Sequence, residues 1–248
     1  MPNKMNKWIL GSFLLTLPMT TMIGQTIDMT KYGIQQNVGQ MGSQSVLSVI
    51  RDFNLGSKSV KGTPYWRNEW LEGSIIWLNG TRLDKVPMKV LTYKTTALSA
   101  KIPSGDSIIV PIKNYKVAIL LDPMTKDSIF FKRILHDETP NGELMRVIHD
   151  GDFAILARQI GNMIPASNTG AYNAGREYDE FMQKTEYFLL KKGSGKLEKI
   201  KLSKKGLFEV LPGKDAELST FIKSNQLNVD KEKDASRLAA YYEQIIRP

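Results

Sequence analysis

From Gly73 onward the apolar positions fall at alternate residues in short runs, each closed by Gly, Asn, Asp or Ser, the pattern of half-buried strands. Ser74–Leu78 and Thr81–Val86 flank Asn79–Gly80, the strongest short hairpin signal, because Asn and Gly tolerate the positive φ of a type I′ turn. A second hairpin is expected of Met145–His149 and Phe153–Ile160 around Asp150–Gly151, and a third of Glu186–Lys191 and Lys196–Leu202 across Gly193–Ser194–Gly195. Met88–Tyr93, Leu98–Ile102, Ser107–Ile112, Val117–Leu121 and Ser128–Ile134 read as further short strands. Connections this short favour antiparallel neighbours, since parallel strands need crossover helices. The stretch Gly161–Lys184, with Pro165, Gly170, Asn173 and Gly175, interrupts the rhythm and reads as a long loop. Loops of that length in a compact domain are functional or mobile, so this one is the first candidate for a binding rim. Its Tyr172 and Tyr178 fit either the rim or packing onto the sheet.

After Ser203 the spacing becomes helical. Leu207, Phe208, Val210 and Leu211 run into the stop signal Pro212–Gly213. Leu218, Phe221 and Ile222 lie at i, i+3, i+4, and Leu238, Tyr241, Tyr242 and Ile245 repeat that stripe one turn longer, with Asp230 as the expected N-cap. The last stripe predicts a buried face holding the terminal helix near Phe221 and Ile222, because a helix of about 16 residues is marginal without such packing. Together these patterns give an α+β class: an antiparallel β meander or open barrel followed by a short C-terminal helical segment. Its expected divisions are an N-terminal extended segment over 25–60, a β domain over 61–202 and a helical tail over 203–248.

The first residues belong to a different pattern. Lys4 and Lys7 precede an apolar run from Trp8 to Leu17, then Pro18 and a stretch ending on Gly24 before Gln25. This is the layout of a secretory signal peptide over 1–24, too short to span a bilayer, which needs about 20 apolar residues. Residues 25–60 are rich in Gln, Gly, Ser and Asn, with Val46, Leu47, Val49 and Ile50 as their one apolar cluster, a short helix or an edge strand.

Charge then changes meaning. The chain carries a net charge of +9 over 248 residues, and removal of 1–24 takes two lysines and no acid, leaving +7. A basic protein inside the cell would raise nucleic-acid binding. An exported one meets anionic lipid or polysaccharide, or another envelope protein, in preference to nucleic acid. After signal cleavage it is not expected to be an integral membrane protein. The runs Lys191–Lys192 and Lys196–Lys205 are explained by the solvated faces of a hairpin and a helix start.

Candidate chemistry is sparse. The sequence contains no cysteine, which excludes disulfides, thiol catalysis and Cys-ligated metals. Both histidines, His136 and His149, are followed by an aspartate (Asp137, Asp150), with Glu138, Glu143 and Asp152 nearby. His–Asp pairs ligate metals, but both sit at turns and neither has the i, i+4 spacing of a helical zinc pair. Gly193–Ser194–Gly195–Lys196 imitates the end of a phosphate loop, yet it lies between two strands and leads into no helix. No nucleophile elbow is present. Paired carboxylates of glycosidase type depend on spatial separation, and Glu69, Glu72, Asp179 and Glu180 are the acids nearest aromatics. No catalytic, cofactor or metal residues are assigned. Asp106–Ser107–Ile108 and Asp127–Ser128–Ile129 resemble the acceptor pattern for O-glycans in exported Bacteroidota proteins, which requires Ser107 and Ser128 to be exposed.

Gly62–Thr63–Pro64–Tyr65, Trp70–Gly73, Asn79–Gly80 and Val86–Pro87, then Tyr187–Phe188–Leu189, Lys191–Lys192–Gly193, Leu211–Pro212 and Tyr241–Tyr242, resemble a group of uncharacterised exported proteins of Bacteroidota, which have no assigned activity. The resemblance implies a periplasmic or surface β-rich protein with a helical C-terminus. Its residues are turn and packing positions, so it implies no catalytic set. The expected role is a non-enzymatic envelope binding or accessory protein. Two alternatives remain: a carboxylate-dependent hydrolase of envelope or glycan substrates, and a structural subunit of an envelope complex.

Overall fold

The computed structural model describes residues 60–101, 107–137, 139–167 and 178–247. The expected signal peptide, Gln25, the Val46–Ile50 cluster and Tyr172 lie outside them. The described residues form one sheet of eleven strands: β1 (Val60–Lys61), β2 (Leu71–Trp77), β3 (Arg82–Leu91), β4 (Ala97–Lys101), β5 (Ser107–Val110), β6 (Tyr115–Leu121), β7 (Ser128–His136), β8 (Thr139–Asp150), β9 (Phe153–Ile164), β10 (Asp179–Lys191) and β11 (Leu197–Ile200). Their order is β1-β10-β9-β8-β7-β6-β2-β3-β4-β5, with β11 also on β10. Three helices follow: α1 (Lys204–Val210), α2 (Asp215–Ser224) and α3 (Glu232–Ile246). The α+β class with an open antiparallel sheet and a helical C-terminus is therefore as expected. One pairing departs from it, the parallel contact of β1 with β10 at Val60↔Asp179 and Lys61↔Glu180.

Alternation builds two cores on one face of the sheet. Register aligns Leu71 with Met88, Ile75 with Ala118, Ala118 with Phe131, and Met88 with Ala100, and all are buried. With Val90, Leu98, Leu120 and Leu144 these side chains fill the space enclosed by the curled β2–β8 portion. At the other end Phe153, Ile155, Leu189 and Ile200 are covered by the helices through Leu207, Leu218, Ala235, Leu238 and Tyr242.

The hairpin turns differ in detail from expectation. Of Asn79–Gly80 only Gly80 has positive φ (86°), so the connection is a three-residue loop with Gly in the left-handed position, not a two-residue type I′ turn. Gly80 N–H donates to Trp77 O and Thr81 N–H to Asn79 Oδ1. Gly151 does not take positive φ, and its need is steric: a Cβ there would collide with the Glu243 carboxylate.

Three segments are corrected. Gly161–Ile164 and Asp179–Lys184 are strand, paired from Ile164↔Glu180 through Gly161↔Gln183, so the long-loop reading of 161–184 fails at both ends. Pro165 and the Asn and Gly residues around it hide that alternation. The turn-rich stretch after His136 is already β8 from Thr139, paired to His136. In the tail, Asp230 is exposed and caps nothing; α3 follows Lys231 without a side-chain cap. The fully buried stripe is Ala235, Leu238, Ala239 and Tyr242, while Tyr241 is half-buried and stacks on Phe221 with ring centroids 4.0 Å apart.

Candidate ligand cleft at the split between two strands

β8 and β9 begin as an ordinary hairpin and then separate. Their ladder runs from Asp150↔Ala154 to Arg146↔Ala157 and stops there. β8 continues paired to β7 alone, back to Thr139, and β9 continues paired to β10 alone, out to Ile164. The gap is met by the β3–β4 connection. Gly161 N–H donates to Thr92 O (2.9 Å), Thr96 Oγ1 donates to Gln159 O (3.2 Å), and Tyr93 bridges Gly161 in parallel sense. These bonds use ladder groups of β9 that β8 no longer meets. The connection is itself fastened: Thr92 N–H donates to Pro64 O, and Gln183 Nε2 donates to Thr63 O and Tyr65 O.

The result is an open cleft of about 540 Å³, lined by Thr92–Thr96, by Thr139, Gly142 and Glu143 of β8, by Arg158–Asn162 of β9, and by Ile112. That volume lies within the range of about 300–1,000 Å³ usual for small-molecule sites. At its apex Glu143 accepts two hydrogen bonds from Arg158, Nε to Oε1 and Nη2 to Oε2, both 2.7 Å. His136 Nε2 lies 3.3 Å from Glu143 Oε2, and the Arg158 guanidinium stands 4.5 Å from the Phe188 ring centroid. The carboxylate and guanidinium cancel, which leaves Lys94 as the unpaired charge among the lining residues.

Two features of the lining are anomalous. Gln159 is 3% exposed; its Oε1 accepts from Thr185 Oγ1 at 3.0 Å, but its Nε2 has no hydrogen-bond partner among the described residues. An unsatisfied buried donor costs on the order of 1–3 kcal/mol, and native structures contain few of them. Lys94 has φ of 61°, a strained value for a residue with a Cβ, and its ammonium lies 5.3 Å from the Tyr93 ring centroid.

The other candidates fall elsewhere. His149 pairs not with Asp150 but with Glu243 of α3, Nε2 to Oε1 at 3.0 Å; the same oxygen accepts from Asp152 N–H at 2.5 Å. Asp150 instead pairs with Lys132. His149 thus meets a glutamate 94 positions away and His136 one seven positions away, and among the described residues no group of three His, Cys, Asp or Glu could hold a metal. Asp137 is exposed. Asp179 accepts from Ala166 N–H, and Glu180 lies in β10 opposite Lys61. Of the acids noted in the sequence only Glu143 lines the cleft. Gly193 and Gly195 form the expected turn with positive φ. The Lys61 ammonium sits 3.8 Å above the Tyr178 ring. Ser107 and Ser128 are exposed and are the first residues of β5 and β7.

A second buried polar cluster is engaged at all but one atom, Arg146 Nε, which has no partner among the described residues. Arg146 donates to both oxygens of Glu232 (2.5 and 2.6 Å), and the Tyr187 hydroxyl donates to Glu232 Oε1 at 2.9 Å. Burial pulls the Glu232 pKa upward, but the Arg146 bonds and charge and the Tyr187 bond outweigh it and hold the carboxyl below its ordinary value. The Tyr187 phenol is pushed up to about 12 by burial and by Glu232.

Sequence reasoning missed Gln159 and the Lys94–Thr96 segment. One signal was present: Ile155, Ala157, Gln159 and Gly161 share the inward face of β9, and a glutamine there interrupts an otherwise apolar or small series. No family model, curated protein or solved structure matches the chain.

Proposed function

We propose that this is an exported, non-catalytic binding protein of the cell envelope, in the periplasm or at the cell surface of a Bacteroidota-type organism, whose cleft between β8 and β9 holds a small polar ligand. The N-terminal pattern of Lys4, Lys7 and the Trp8–Leu17 run supports export. The observation that carries binding is Gln159: its side-chain oxygen accepts from Thr185 and its backbone oxygen from Thr96, while its buried Nε2 has no partner among the described residues and the residue lines an open cleft. A donor kept in that state at a cost to stability is accounted for by a ligand that accepts from it. The lining offers one carboxylate, Glu143, already bound by Arg158, where glycoside hydrolysis uses two.

The test is a thermal-shift panel of the purified exported protein against saccharides, sugar acids, amino acids, nucleosides and lipid headgroups. At least one class should raise the melting temperature in a concentration-dependent way, since binding to the native state alone stabilises by mass action. Thr95→Trp, which fills the cleft, should remove that rise while the variant stays folded. No response to any class would sink the reading, and turnover of the stabilising compound would move it to the enzymatic alternative.

A further inference from the structure

The proposal that the cleft binds a ligand can be taken further by asking which of its polar groups remain available, and what chemistry answers them. Most of the acceptors are engaged, Glu143 by Arg158 and His136, Gln159 O by Thr96 and Thr92 O by Gly161, while the exposed Asn162 amide can both donate and accept. The groups left are mainly donors. They are Gln159 Nε2, the Lys94 ammonium and the hydroxyls of Thr95 and Thr139, none of which makes a hydrogen bond to another described residue. With Glu143 and Arg158 cancelling, the described lining residues carry one net positive charge.

We infer that the cleft takes an acidic sugar: a ring rich in hydroxyls bearing a single carboxylate. The carboxylate answers the Lys94 charge, an oxygen of the ligand accepts from Gln159 Nε2, and the ring hydroxyls exchange hydrogen bonds with Thr95 and Thr139. Ile112 and Ile160 supply the apolar flank that the C–H face of a sugar ring packs against. The rival chemistries fit less well. An amino acid brings an ammonium that a free carboxylate would best answer, and the one carboxylate among the described lining residues is already bound. A phosphate dianion asks for more than the single available cation. A fatty acyl chain would leave Gln159 and the threonines unsatisfied. The strained backbone at Lys94 suits the same reading, since it sets the cation at the mouth at a conformational cost.

This inference rests on the cleft being a binding site, and calorimetric titration of the exported protein with D-galacturonate, D-galactose and L-glutamate separates the two. Galacturonate should bind at least tenfold tighter than galactose or glutamate, and its affinity should fall with added salt. Lys94→Gly, which keeps the backbone conformation and removes the charge, should weaken galacturonate about tenfold and leave galactose unchanged. Gln159→Met made on a Thr185→Val background, where the hydroxyl that Gln159 Oε1 accepts from is already gone, should weaken both sugars without lowering the melting temperature further; a further drop would mean that the amide serves structure instead. Equal binding of galactose and galacturonate, or an indifferent Lys94→Gly variant, overturns the acidic-sugar assignment. If galacturonate fails while another class in the thermal-shift panel binds, only this inference falls.

Discussion

The two ends of the β8–β9 hairpin carry similar chemistry and opposite outcomes. At the turn, His149 Nε2 and Asp152 N–H converge on Glu243, a buried carboxylate delivered by α3, and Gly151 makes room for it. At the open end the strands part, a loop meets some of their groups, and Gln159 Nε2 is left over. Both ends bury polar side chains at the same sheet. The first is closed by a helix whose side chain was placed to fit, so its hydrogen bonds reinforce the fold. The second is met by a connection that reaches Gln159 O and Gly161 N–H, and Gln159 Nε2 stays without a partner among the described residues. The Tyr115 hydroxyl and Arg146 Nε are also buried without a partner among the described residues, but of the three residues only Gln159 lines a cleft.

Breaking the closed end should have the largest effect. Tyr242 is buried, stands edge-on to Phe153 with centroids 6.2 Å apart, and donates to Pro212 O at 3.1 Å. Tyr242→Ala should cost about 3–4 kcal/mol, the scale of large-to-small aromatic changes in cores, read from denaturant unfolding. Tyr241→Ala, on the half-buried ring, should cost distinctly less; equal losses would contradict this account of the tail. Glu243→Ala comes next, at about 2–3 kcal/mol, because it leaves His149 and Asp152 N–H without their acceptor. Glu243→Gln, which keeps one oxygen, should recover part of that loss in the same titration.

Acid sharpens the contrast from another side. Glu232 is held below the ordinary carboxylate value by Arg146 and Tyr187 against the opposing pull of burial. A depressed folded-state pKa contributes stability that is present above the unfolded value and lost as pH falls through the folded one. Glu232→Gln should therefore lie below wild type in unfolding free energy at neutral pH, and the gap should narrow as pH drops below about 4.5. A gap constant from pH 7 to 3 would show that the charge is irrelevant to docking α3 on β8. The smallest effect belongs to the open end. Lys94→Gly should raise stability by about 0.5–1 kcal/mol, as relief of the left-handed backbone exceeds the entropy cost of glycine. A loss instead would mean that the Lys94 side chain helps hold the loop against β9.

Local patterns carried much of the fold. The strands flanking Asn79–Gly80 and Gly193–Gly195, the helix stop at Leu211–Pro212 and the i, i+3, i+4 stripes of α2 and α3 were legible because each depends on residues within a few positions of one another. Where local signals competed, the reading failed: Pro165 with its neighbouring Asn and Gly concealed the ends of β9 and β10, and Tyr241 and Tyr242 fit one helical stripe although only Tyr242 is fully buried.

The cleft belongs to the other category. Sequence alone determined that this chain has no cysteine chemistry, that its body is antiparallel and that its tail is helical, since these follow from composition and from periods of two and 3.6 residues. Tertiary structure alone decided that β8 and β9 part beyond Ala157 and that the 92–96 connection bends across to Gly161. It also decided that Glu243 meets His149 across 94 positions of sequence. Those outcomes turn on how tightly the sheet curls and which distant side chain arrives with a matching hydrogen bond, and neither quantity has a period that a sequence can display.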